Sequence, residues 1–354
     1  MTINAQNGDA WSNWRAYHIF YHADRSLLLR ELVQPLVSQL LRDGIIDHLF
    51  FIRYGLGGPH VRLRWRLKDD GAGAAAQRLL AEKTAEFFSR RPSLEKISDE
   101  KIRNTNRELL SVDTVAATDA DQIYGDNCWQ ISPLLFEFDR YGGVERMQDS
   151  LDLFCLSSVV TLQLLQANTE SARGWERAWI LRQWLALAFN LAENEEEFLR
   201  CVDYGNDFFA GHLQRCADEG EAVFARNGAP ILNIVCRELQ QLSEAETYSQ
   251  KNKIVTCARV LAGRIKHLAG KKREYLLHSH MHMAANRLGF INPEEVYLSR
   301  MLRCALNHFR LERPQTWKQI WDCRDFNSDL NAEISRQLVA SSLQEFVSQP
   351  EPIF

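Results

Sequence analysis

The chain has 354 residues, enough for one large domain or two ordinary ones. Hydrophobic residues make up 45% and charged residues 25%, the balance of a globular protein with a full core rather than of a disordered or fibrous one. A formal net charge of −4 argues against broad nucleic-acid binding, which demands a strongly cationic face, so no direct nucleic-acid partner is expected.

From the N-terminus, Met1 to Asp9 reads as a short disordered end, as does Gln349 to Phe354. Residues 15–21, rich in aromatic and β-branched types, suit a first strand. A helix follows from about Ser26 to Arg42, with Asp24 as its cap, Gly44 as its stop and Pro35 imposing a kink or restart. Residues 47–54 and 60–67 make a hairpin about the Gly-Leu-Gly-Gly-Pro turn. An Ala-rich helix spans 72–90, and residues 130–139 return to strand character. The resulting order, β-α-β-β-α-β, is that of a ferredoxin-like sheet.

After Gly143 the periodicity turns helical. Candidate helices cover 144–168, 175–192, 194–217, 219–227, 230–242, 250–269, 271–288, 293–310 and 330–347. The fold class expected is therefore α+β: a sheet lobe over 10–143, then a mostly helical lobe over 144–348, with a cleft between them as the default place for a site. The richest apolar stretch, Trp179 to Leu191, carries Arg182, Gln183 and Asn190 and is too short and polar to span a bilayer, so no membrane partner is expected. Eight cysteines without CxxC spacing, and an N-terminus with no signal-peptide pattern, point to a reducing cytoplasm.

Three segments could carry chemistry. In His60-Val-Arg-Leu-Arg64, strand alternation sets His60, Arg62 and Arg64 on one face and Val61, Leu63 and Trp65 on the other. A cationic row of this kind receives carboxylate or phosphate, since guanidinium binds both bidentately; a merely solvated sheet face reads the same way. Phe138-Asp-Arg-Tyr-Gly-Gly143 ends the last strand in a glycine pair, with Arg140 at the turn. On a helix over 271–288, His278 and His282 share a face, as do His282 and Asn286, while His280 points away. An HxxxH pair can ligate zinc, but catalytic zinc needs a third ligand and no glutamate holds the HExxH spacing, so no metal is expected. A structural histidine or a proton-transferring one remains. No dinucleotide, P-loop or nucleophile-elbow motif occurs, and Glu195-Glu196-Glu197 reads as the acidic first turn of a helix.

Taken in order, Trp14 to Tyr21, Phe50-Phe-Ile-Arg-Tyr-Gly with Gly58-Pro-His-Val-Arg-Leu-Arg64, Glu137-Phe-Asp-Arg-Tyr-Gly-Gly143 and His282-Met-Ala-Ala-Asn-Arg-Leu288 resemble the C-terminal, glutamate-elimination part of lantibiotic dehydratases, also called the thiopeptide-type bacteriocin biosynthesis domain. The resemblance runs from about residue 14 to about 345. It implies a lyase that removes glutamate from glutamylated Ser or Thr of a ribosomally made precursor peptide carrying a leader. A separate glutamyl-tRNA-dependent enzyme would add the glutamate, making this chain the stand-alone half of a split dehydratase. On the same resemblance Arg62 and Arg140 handle glutamate and His282 is the active-site histidine, all three lining one pocket. His60, Arg64, Arg53, Tyr141, Asn286 and Arg287 are the substrate-binding candidates around them, and no cofactor is implied. One departure is visible after Phe154, where the family often has an acidic residue before a serine and this chain has Ser157-Ser158. A thiopeptide pyridine synthase, which joins two dehydroalanines by a formal [4+2] cycloaddition and releases the leader, is the nearest alternative; a non-catalytic peptide-binding module is the next. The many helices expected to expose apolar faces make a homodimer reasonable.

Overall fold

The computed structural model describes residues 11–112, 120–167, 174–204, 213–243, 253–265, 268, 271–322 and 332–348. The terminal segments read as disordered, and Cys323, lie outside the described residues. The chain divides into two compact units, one drawn from 1–137, 154–169 and 339–354, the other from 138–153 and 170–338.

In the first unit, strands β1 (Trp14–Phe20), β2 (Ile46–Tyr54), β3 (His60–Leu67) and β4 (Cys128–Ile131) form a sheet of order β2-β3-β1-β4. All three neighbouring pairs are antiparallel. Between β1 and β2 run α1 (Arg25–Leu28), a π segment over Leu29–Val33 and α2 (Gln34–Arg42). Between β3 and β4 run α3 (Gly73–Arg90) and α4 (Asp99–Val112). This is the ferredoxin-like order, on an α+β fold as expected.

Local chemistry explains the first helical passage. Asp24 caps it by accepting the Ser26 N–H at 2.8 Å. Pro35 has no N–H to give the Glu31 carbonyl, and the Gln34 N–H reaches back to Leu29 instead, which produces the π turn. Gly44, at φ +68°, closes the helix in a left-handed turn, with Ile45 N–H bonded to Leu40 and Gly44 N–H to Leu41.

Two points correct the sequence reading of this unit. The last strand is Cys128–Ile131 rather than 130–139, because Pro133 has no N–H to continue the ladder beyond Ser132, which still bonds the Ala16 carbonyl at 3.0 Å. Helix α4 was not expected. Its buried Asn106 accepts the Gly57 N–H at 2.7 Å and donates to the Ala120 and Gln122 carbonyls, fixing the β2–β3 turn where Gly57 and Gly58 take positive φ.

The second unit holds helices and, among the described residues, no strand. They are α5 (Val144–Ala167), α6 (Gly174–Leu191), α7 (Glu195–Val202), α8 (Gln214–Asn227), α9 (Ala229–Ser243), α10 (Lys253–Ile265), α11 (Lys271–Leu288), α12 (Asn292–Glu312), α13 (Pro314–Asp322) and α14 (Ala332–Ser348). The later parts of α5 and α14 belong to the first unit. The helix expected over 194–217 ends at Val202, and residues 205–212 lie outside the described residues. Helix α13 was missed, although Pro314 at its first position is a start signal. The described helix long and apolar enough to cross a membrane is α5, not the Trp179–Leu191 stretch. Of its most apolar window 78% is buried inside the protein, the burial of a core helix.

Candidate active site

In the first unit, strand alternation divides the sheet faces as the sequence implies. Val61, Leu63 and Trp65 are fully buried on one face, and burial of each side chain contributes roughly 1.5–3 kcal/mol. Cross-strand register places Phe50, Ile52 and Tyr54 of β2 and Ala16, His18 and Phe20 of β1 with His60, Arg62 and Arg64 on the other face. The Arg62 guanidinium lies 3.6 Å from the Tyr54 ring centre and that of Arg64 5.3 Å from the Phe50 ring, stacked in cation–π geometry. His60 is buried; it bonds the Gly58 carbonyl at 2.8 Å through Nδ1 and stacks on His18 at 4.7 Å.

Arg53 does not join this row. It pairs with Val61, on the opposite face, and its guanidinium is buried with Ser26 Oγ at 3.1 Å, where it ties α1 to β2. The serine that follows the departure, which falls at Ser157, has a structural task. Ser158 Oγ accepts the N–H of Phe51 at 3.2 Å, satisfying a backbone group on the β2 edge.

In the second unit, Gly142 and Gly143 take φ of +85° and +95°, left-handed turns that exclude a bulky side chain. This turn follows β4 only after an irregular stretch, so Arg140 does not stand at a strand end. It stands against α11: its Nε donates to Ser279 Oγ at 2.8 Å, and its guanidinium lies 5.6 Å from the Tyr275 ring and 5.8 Å from the Tyr141 ring. Ser279 and His282 are three residues apart on that helix, hence neighbours on its surface.

His282 is engaged by a residue the sequence did not single out. Its Nδ1 lies 3.0 and 3.1 Å from the two carboxylate oxygens of Glu295, in the first turn of α12. Tyr204 donates its hydroxyl to the same carboxylate. Glu295 has no exposed side-chain surface, whereas 18% of the His282 side chain is exposed, so the acid lies inside and the imidazole reaches outward. A carboxylate in a first helical turn is favoured by the N-terminal end of the helix dipole. Burial and the neighbouring Glu295 push the Tyr204 hydroxyl well above its ordinary pKa, so it stays a donor. A neutral His282 that donates its Nδ1–H to Glu295 carries the ring's lone pair on Nε2.

The neighbouring histidines differ in kind. His278, held 5.5 Å from the Tyr204 ring, is pushed down to about 4 by burial. His280 points to the other side, with Nε2 3.2 Å from Ser150 Oγ and its ring edge-on to Tyr141; burial, then Arg287 and Arg140, push it down to about 3. Both are neutral core residues at ordinary pH. Helix α11 is pinned from behind: buried Arg273 donates to both oxygens of Glu197 at 2.9 and 3.0 Å, and Trp184 donates to the Met281 carbonyl at 2.9 Å. The Glu195–Glu197 run is thus more than a first-turn cap.

Among the substrate-binding candidates, Arg64 and Asn286 are half-buried, while His60, Arg53, Tyr141 and Arg287 are buried, which suits them to support rather than contact. Among the described residues no group of three or more His, Cys, Asp or Glu side chains is arranged to hold a metal ion.

A ferredoxin-like sheet continued by a long helical region is an architecture shared with three solved structures. The pyridine synthase TbtD, from thiomuracin biosynthesis, superposes with a TM-score of 0.66 at 15% identity, over 84% of this chain and 98% of that one. TsrL gives 0.56 at 12% identity, over 88% and 99%. The tRNA-dependent lantibiotic dehydratase MibB from Microbispora sp. 107891 gives 0.54 at 16%, over 85% of this chain but 28% of that much longer one. At these identities the likeness speaks for the fold. The family described as lantibiotic biosynthesis dehydratase C-term matches residues 14–306, and the chain belongs to that family. No curated protein sequence matches it.

Proposed function

We propose that this protein eliminates glutamate from glutamylated Ser or Thr of a ribosomally made precursor peptide, leaving dehydroalanine or dehydrobutyrine. The observation that carries the reading is the His282–Glu295 pair beside the Ser279-anchored Arg140. It supplies a directed proton acceptor and a cation for a carboxylate on one helix surface.

In the proposed reaction, Nε2 of His282 takes the Cα proton of the modified residue. The released electron pair forms the Cα=Cβ bond as the Cβ–O bond breaks, and glutamate departs as a carboxylate. Glu295 stabilises the imidazolium as it forms, the role an acid plays behind a catalytic histidine. Arg140 and Arg62 stabilise carboxylate charge, one taking the departing group and the other glutamate's free carboxylate, and such charge stabilisation is strongest where water is excluded. Arg64, Asn286 and Tyr141 complete the substrate contacts or their support. The step is redox-neutral and calls for no cofactor. Glutamylation falls to another domain or protein, and the reaction belongs in the cytoplasm, where precursor and glutamyl-tRNA are made.

A second reading, pyridine synthesis, is favoured by the superposition on TbtD, which spans 98% of that chain and 84% of this one. Incubation of the purified protein with a glutamylated precursor, and separately with a peptide already carrying two dehydroalanines, followed by mass spectrometry, separates the two. Elimination is expected to release glutamate from the first and leave the second unchanged. Cyclisation of the second with the first untouched overturns the proposal.

A further inference from the structure

The sheet face that carries His60, Arg62 and Arg64 holds a histidine that the proposed reaction does not use. His18 on β1 is paired across the strand with Arg62 on one side and with Gln130 of β4 on the other. It is half-buried, and its ring is held in place by stacking on His60, itself locked by the Gly58 carbonyl. His60 Nε2 is a buried acceptor with no hydrogen-bond partner.

We propose that His18 is the third arm of a carboxylate receptor on this face, joining Arg62 and Arg64 and taking up a proton when a carboxylate binds. The inference rests on the elimination reading in that glutamate is the carboxylate in question. The argument is electrostatic and geometric. Two guanidiniums stand on the neighbouring strand, each backed by an aromatic ring, so their positions are fixed before a ligand arrives. Burial first, and then the charges of Arg62 and Arg64, hold His18 at a pKa of about 3. Of the other groups on this face near it, burial keeps His60 neutral and pushes the Cys128 thiol up, and Gln130 carries no charge. A neutral imidazole there offers one N–H at most.

A carboxylate seated between the guanidiniums offsets part of their repulsion and supplies an acceptor for the imidazolium, so the His18 pKa rises on binding. Binding then draws protons from solution. By linkage, affinity falls as pH rises through the window between the free-state pKa and the raised bound-state pKa, by up to about tenfold per pH unit.

The test is calorimetric titration of the full chain with L-glutamate near pH 6 and near pH 8, in buffers of different ionisation enthalpy, with the His18 ring followed by NMR. Wild type is expected to take up protons on binding glutamate, more near pH 6 than near pH 8, with the His18 resonance moving toward its protonated position. His18→Gln keeps a neutral donor and should bind with no proton uptake. His18→Phe keeps the stack on His60 and should bind about tenfold more weakly near pH 6, the size of one charge-assisted hydrogen bond. Absence of glutamate binding, uptake that persists in His18→Gln, or an unmoved His18 resonance overturns the inference. Inorganic phosphate bound as tightly, with the same uptake, overturns the assignment to carboxylate. Binding with uptake in a protein that releases no glutamate from glutamylated peptide would sink the elimination reading and leave the receptor standing. Elimination without uptake would do the reverse.

Discussion

His282 in the helical unit and His18 in the sheet unit are both partly exposed histidines on regular elements, yet their surroundings are opposite. His282 has a buried carboxylate on Nδ1, backed by a tyrosine hydroxyl. His18 faces two guanidiniums and a stacked neutral histidine. The first environment stabilises an imidazolium once it forms and suits a group that accepts a proton during the reaction. The second keeps the ring neutral until an anion arrives. Chemical type is therefore a poor guide to a histidine's task, and the charge supplied by neighbouring elements is a better one.

Substitution of the groups around each histidine sharpens that contrast. The largest effect is expected from Glu295→Gln. The amide can donate to Nδ1 and so favours the wrong tautomer, removing much of the base's contribution, about 10²–10⁴ in rate. Single-turnover kinetics on a glutamylated peptide would read it, and a wild-type rate would show that the buried acid is structural. Arg62→Lys comes next: an ammonium cannot reproduce bidentate geometry, so a loss of about 10² in kcat/KM is expected, appearing partly in KM. Unchanged kinetics would remove Arg62 from the reaction. The smallest effect belongs to Ser158→Ala, which leaves the Phe51 N–H without its acceptor at a cost of about 1–3 kcal/mol. Urea denaturation should report this loss with kcat unchanged, and a large fall in kcat would give Ser158 a catalytic task.

The sheet was legible because its determinants are local. Alternation over residues 60–67 fixed the faces, the glycines at 55–58 fixed the hairpin, and Asp24, Pro35 and Gly44 marked the helix start, interruption and stop. Helix α4 had a signal that went unread, Ser98 ahead of the acidic first turn Asp99-Glu100. Among the candidate site residues, Arg62, Arg140 and His282 stood in recognisable motifs. Glu295 did not. It sits beside Glu294, which satisfies the Ile291 N–H, and nothing in the local pattern says which of the two turns inward to His282. Tyr204 is separated from both partners by several helices. Arg53 misled because its motif neighbours suggested the site, whereas strand parity sets it on the opposite face from Arg62. The burial of His278 and His280 depends on Tyr204, Ser150 and Tyr141, contacts that no helical spacing reveals.

The central claim is that Nε2 of His282 removes the Cα proton as glutamate leaves. A glutamylated peptide deuterated at that Cα, incubated with wild type and with His282→Ala, tests it most directly. Wild type should give glutamate and dehydroalanine in equal amounts, with the deuterium lost to solvent and a primary isotope effect on the chemical step. His282→Ala should leave the glutamyl adduct intact with its deuterium retained, slower by about 10²–10⁴. Release of glutamate by His282→Ala at the wild-type rate would contradict the account.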